Sequence, residues 1–231
     1  MSAAEDTESN ARLDKWAGWL GLLATAAFLA TIGVTSANSS IVLPDGPADI
    51  LSYLAEVAEG ATGFYVYGIA GLILTVLYVP MAFGVYRLLS KPALGWLGTA
   101  ALVIGLAILF PAYLVSILNV GALAPAAELV GVGGADGLYT VYTFAAVAAS
   151  VLFTVGSVLT LSVGPFLWGI EGLRGSAFAR WLAWTGVVTG LSGLVWFIWT
   201  IDNPVILSVL TVNVLGALVL FTGLSVRLLR R

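Results

Sequence analysis

Residues 138–170 read LYTVYTFAAVAASVLFTVGSVLTLSVGPFLWGI, roughly 33 positions without one Asp, Glu, Lys or Arg. A helix rising about 1.5 Å per residue crosses about 30 Å of hydrocarbon in roughly 20 residues. This run is therefore a membrane span, and it is longer than the bilayer requires, so it should tilt, kink or protrude.

Five further apolar runs flank it, at about 16–37, 61–86, 94–118, 181–201 and 205–226. With 60% apolar and 9% charged residues in 231, the chain falls in the membrane class, because no soluble fold could bury so much. The expected fold is all-α, a polytopic transmembrane bundle of six spans preceded by a disordered polar tail over 1–11. A cleaved signal peptide is the competing reading of the first run, with Arg12 and Lys15 as its basic region and Thr35-Ser36-Ala37 as a small-residue cleavage site.

Basic residues set the orientation. Arg12 and Lys15, Arg87 and Lys91, Arg174 and Arg180, and Arg227, Arg230 and Arg231 all fall on one side of the six runs. Cytoplasmic loops carry the Lys and Arg excess, so both termini are expected in the cytoplasm, in the cell membrane. Asp45, Asp49, Glu56, Glu59, Glu128, Asp136 and Asp202 then lie outside with no basic residue among them. Such a face disfavours nucleic acid as a partner and suits high external salt. The Ala, Gly and Val bias, the net charge of −3 and lysines only at 15 and 91 fit a halophilic or high-GC prokaryote. Indole rings favour the headgroup level, and Trp16, Trp19, Trp96, Trp168, Trp181 and Trp184 are expected at the inner boundary, with Trp196 and Trp199 at the outer one.

Between the first two runs, Pro44-Asp45-Gly46-Pro47 is a turn signature. Ile50, Leu51, Leu54, Val57 and Ala58 then share one helical face, predicting a short helix that either lies in the outer interface or docks on the spans. Asn203 is placed to cap the last run, with Pro204 at its first helical position. Gly18-Trp19-Leu20-Gly21, Gly95-Trp96-Leu97-Gly98 and Ala183-Trp184-Thr185-Gly186 each open an odd-numbered run, as three helical-hairpin repeats would, or as any inward-starting helix would.

Chemistry is sparse. Without His or Cys the chain lacks the usual haem, copper and zinc ligands and the usual base for a serine nucleophile, so no cofactor and no catalytic site are expected. Every Asp, Glu, Lys and Arg reads as part of a loop, a tail or a helix end, which disfavours a proton relay or a carboxylate-coupled transporter. Asn213 is the strongest polar candidate, because an amide within hydrocarbon needs partners from another helix or a ligand. Tyr113, Ser116 and Asn119 form one polar stripe and Ser150, Thr154 and Ser157 another, lining either a cavity or a packing face. Pro80, Pro111 and Pro165 each remove a backbone hydrogen bond and should bend their helices. Gly186-x-x-x-Gly190 and Thr189-x-x-x-Gly193 have the small-residue spacing of a close helix contact, internal or oligomeric. Asn38-Ser39-Ser40 matches a glycosylation sequon.

A basic-led first span, the outer Leu43-Pro44-Asp45 and a second span ending Val85-Tyr86-Arg87-Leu88-Leu89 resemble a prokaryotic family of six-span membrane proteins catalogued as a domain of unknown function. That resemblance implies no substrate and no site residues. Two functions are expected to compete. One is a non-enzymatic accessory, scaffold or sensor subunit that packs with itself or another membrane protein in the lipid bilayer. The other is a carrier of a small apolar or lipid-like molecule held between spans two to four and span six.

Overall fold

A computed structural model of the chain describes residues 3–37, 44–89, 93–130, 132–198 and 203–231. Most of those residues are helical and none is in a strand, and six of the helical stretches are long and apolar enough to cross a membrane. The sequon, Leu43, Lys91, Trp199, Ile201 and Asp202 lie outside the described residues.

The elements are α1 (Ala3–Ala37), α2 (Ile50–Glu59), α3 (Ala61–Leu88), α4 (Ala93–Leu118), α5 (Ala124–Val130), α6 (Ala135–Ser157), α7 (Gly164–Arg174), α8 (Arg180–Ser192) and α9 (Pro204–Leu229). A π-helical turn, Asn119–Leu123, joins α4 to α5, and a second, Val158–Val163, joins α6 to α7. A 3₁₀ turn, Gly193–Ile198, extends α8. Two spans are thereby longer than their apolar runs, at Ala93–Val130 and Ala135–Arg174.

Helix α1 begins at Ala3, which corrects the expectation of a disordered tail over 1–11 for its described part. Once the apolar span has nucleated a helix, each added residue costs little. Here the added residues include alanines and acids, and acids favour the positive N-terminal end of the helix dipole.

Contacts divide the chain into two compact units. The first comprises Met1–Ala26, Leu74–Ile108 and Thr154–Arg231. It holds all eight of the described Lys and Arg residues. Within it α7 and α8 lie backbone to backbone. A Cβ added at Gly169 would come within 2.6 Å of the Val187 amide nitrogen, and one at Gly186 within 2.8 Å of the Pro165 carbonyl. The small-residue spacing of span five is thus spent on an internal contact, where only glycine lets the chains approach so closely. Tyr78 ties α3 to α1 through Thr25 at 3.1 Å, and its ring lies 4.9 Å from that of Phe221 on α9.

The second unit comprises Ala27–Ile73 and Leu109–Phe153. It contains acids and no Lys or Arg. Its core is α2, whose Ile50, Tyr53, Leu54 and Val57 are buried against Val120, Ala135, Leu138 and Tyr142. The interfacial placement of this helix is corrected to the docked one. Its apolar face meets protein, and Tyr53 and Tyr142 share a hydroxyl hydrogen bond of 3.2 Å with ring centroids 4.9 Å apart. The turn before α2 closes through Asp49 N–H to Gly46 O at 3.1 Å.

Candidate functional site

A buried polar node in the first unit centres on Asn213, which is 0% exposed in the middle of α9. Its Nδ2 donates to the carbonyls of Leu161 at 2.9 Å and Thr189 at 2.7 Å, while its Oδ1 accepts from Trp196 Nε1 at 2.9 Å. The local backbone explains why these partners are present. In a regular helix Leu161 O would accept from the amide of residue 165, but that residue is proline and has no N–H. The same stretch has π geometry, with Gly164 N–H reaching back to Leu159 O. Thr189 O lies where α8 tightens into its 3₁₀ turn. Asn213 therefore supplies the donor that Leu161 O lacks and adds a bond to Thr189 O, which also accepts from Gly193 N–H and Ser192 Oγ, so both amide hydrogens are used.

The other sequence candidates are dispersed. Tyr113 is buried in the second unit, its ring 5.3 Å from that of Tyr67 and 6.2 Å from that of Phe153. Asn119 opens the first π turn, with its Oδ1 buried and without a hydrogen-bond partner. Ser150 and Thr154 on α6 are half-buried. Pro80 and Pro111 lie inside α3 and α4, whereas Pro165 sits in the first turn of α7, directly after the π turn.

Two of the tryptophans, Trp168 and Trp196, are buried in protein. Trp168 Nε1 donates to Thr99 Oγ1 at 3.2 Å, as Trp196 does to Asn213. A buried indole N–H needs an acceptor, and each finds one on another helix. Trp16, Trp19, Trp96, Trp181 and Trp184 are exposed.

Asp14, expected only as one of the charges in a loop, a tail or a helix end, is 2% exposed within α1. Arg87 grips Oδ1 through Nε at 2.8 Å and Nη2 at 2.7 Å, and Arg231 reaches Oδ2 through Nη1 at 3.1 Å. The signal available in sequence was one acid set between Arg12 and Lys15 on a helix leading into an apolar run.

An apolar groove of about 490 Å³ opens along Ser192, Pro204, Val205, Ser208, Val209 and Val212. Its serine hydroxyls are spent within their own helices, Ser192 on Val188 O and Ser208 on Pro204 O. Along α9 no residue from 204 to 212 is buried, and burial begins at Asn213. Asn203 Oδ1 caps this exposed half by accepting from Val205 N–H at 2.9 Å, as expected. Among the described residues no three Asp or Glu side chains gather as metal ligands would.

Six long apolar helices make this a multi-pass membrane protein. No family model matches the chain, and no curated protein or solved structure matches it.

Proposed function

We propose that the chain is a non-enzymatic membrane subunit, an accessory or scaffold protein that pairs with a second copy of itself through the exposed half of α9, with both termini on the cytoplasmic side. The carrying observation is that half-helix. Pro204, Ser208 and Val212 recur at four-residue spacing beside Val205 and Val209, and together they line the groove with small and β-branched side chains. Such faces let membrane helices approach closely, and their packing is what drives association where lipid is as apolar as the side chains. The internal small-residue contact is already used between α7 and α8, so this face remains for assembly.

The chain has no cysteine, so Val209→Cys provides a single reporter. Under mild oxidation in native membranes it should form a disulfide-linked dimer, and purified protein in mild detergent should have dimer mass. A strictly monomeric protein with no cross-link would overturn the reading.

The carrier reading draws on one observation, the unsatisfied amide oxygen of Asn119 at a π turn, since such turns recur at functional sites. Its test is whether Asn119→Leu abolishes retention of a co-purifying amphiphile. Lipid retention unchanged by Asn119→Leu would end it.

A further inference from the structure

The geometry points to a phosphate-binding site at Asp14, Arg87 and Arg231, one that takes the headgroup of an anionic phospholipid. One buried carboxylate holds two guanidiniums, leaving the trio with a charge of +1. Each guanidinium carries five N–H donors, and Asp14 occupies only Nε and Nη2 of Arg87 and Nη1 of Arg231. The remaining donors have access to a ligand, because the Arg87 and Arg231 side chains are 27% and 46% exposed while Asp14 is nearly sealed. The carboxylate thus acts as a clamp that fixes two planar donor forks, and pre-organised arginines suit phosphate oxygens in bidentate geometry.

Surrounding charge favours the same ligand. Arg12 and Lys15 on α1 and Arg227 and Arg230 at the end of α9 are not buried, and among the α1 residues whose side chains are described the exposed acid is Glu8. Trp16 and Trp19, exposed on the helix that carries Asp14, mark the depth at which lipid phosphates lie. Basic pockets between membrane helices are where anionic headgroups bind.

The full chain would be placed in phosphatidylcholine nanodiscs with increasing phosphatidylglycerol, and bound lipid counted by native mass spectrometry alongside the unfolding temperature. Phosphatidylglycerol should be retained over phosphatidylcholine and raise the unfolding temperature. Arg231→Gln should weaken that retention about tenfold, the scale of one lost charge-assisted hydrogen bond, and Arg231→Lys should restore it in part. Asp14→Asn should release the two donor forks, weakening retention of phosphatidylglycerol and folding less stably, whereas Arg231→Gln leaves the Asp14–Arg87 pair in place and separates lost retention from lost folding. Should Asp14→Asn fail to fold, Arg231→Gln decides alone. Inorganic phosphate stabilising the protein in pure phosphatidylcholine, with no preference for phosphatidylglycerol, would assign the site to the free anion and overturn the lipid assignment. Equal retention of the two lipids with no phosphate effect, or retention unchanged by Arg231→Gln, would overturn the site.

Discussion

Asn213 donates at 2.9 Å to the carbonyl of Leu161, the group that Pro165 leaves without its regular helical donor. A proline and an amide on different helices thus form one device. The ring frees an acceptor, and the amide fills it together with Thr189 O and the Trp196 indole. This accounts for how a costly polar side chain and a helix breaker are both accommodated in apolar spans.

Replacing Asn213 with Leu should therefore cost about 1–3 kcal/mol, because Leu161 O loses its donor and the Trp196 indole loses the Asn213 acceptor, while Thr189 O keeps Gly193 N–H and Ser192 Oγ. In Pro165→Ala the backbone regains an N–H for Leu161 O, so the cost of Asn213→Leu should be smaller in that background. Unfolding of the four proteins in a detergent series measures the coupling. Identical costs in both backgrounds would contradict the link between the two residues.

The α7–α8 contact should be intolerant of a single methyl. Gly169→Ala places a Cβ against Val187 N and Ala183 O, backbone atoms that cannot rotate away, and should destabilise by about 1–3 kcal/mol. Gly137 on α6 faces open space, and Gly137→Ala should be neutral or stabilising by up to about 1 kcal/mol through helix propensity. Thermal unfolding of the two variants side by side checks the contrast, and equal effects would sink it.

Much of the fold was legible because hydrophobic runs report membrane spans directly. A lone amide in such a run, Asn213, had to seek partners, and Asn-Pro at 203–204 had to start a helix. What stayed hidden depends on contacts distant in sequence. Asp14 reads as a charge at a helix end until Arg87 and Arg231, 73 and 217 positions away, close over it. Trp168 and Trp196 carry the same composition signal as belt tryptophans, and only their partners Thr99 and Asn213 place them inside. The face of α2 was visible, but whether lipid or Val120 and Leu138 would cover it was not. The π turns have no distinct residue signature, so the sequence marked only Pro165 beside one of them.

Tyr53, on the docked helix α2, has its phenol pushed well above the ordinary value, first by burial and then by its hydrogen bond and proximity to Tyr142. The unfolded chain then loses this proton at lower pH than the folded one. The stabilisation is complete below about pH 10, the ordinary tyrosine range, and declines as pH rises through the elevated native value. Ultraviolet titration should show late-ionising tyrosines whose number falls by one in Tyr53→Phe. An unchanged titration in that variant would refute the assignment.

The threading of the chain is tested most directly by labelling single cysteines in the cysteine-free background, in intact cells, with a membrane-impermeant maleimide. Glu59→Cys and Glu128→Cys should label from outside, while Glu8→Cys and Arg230→Cys should label only after the cells are opened. Labelling of Glu8→Cys and Arg230→Cys from opposite sides would mean an odd number of crossings and would contradict the six-span arrangement.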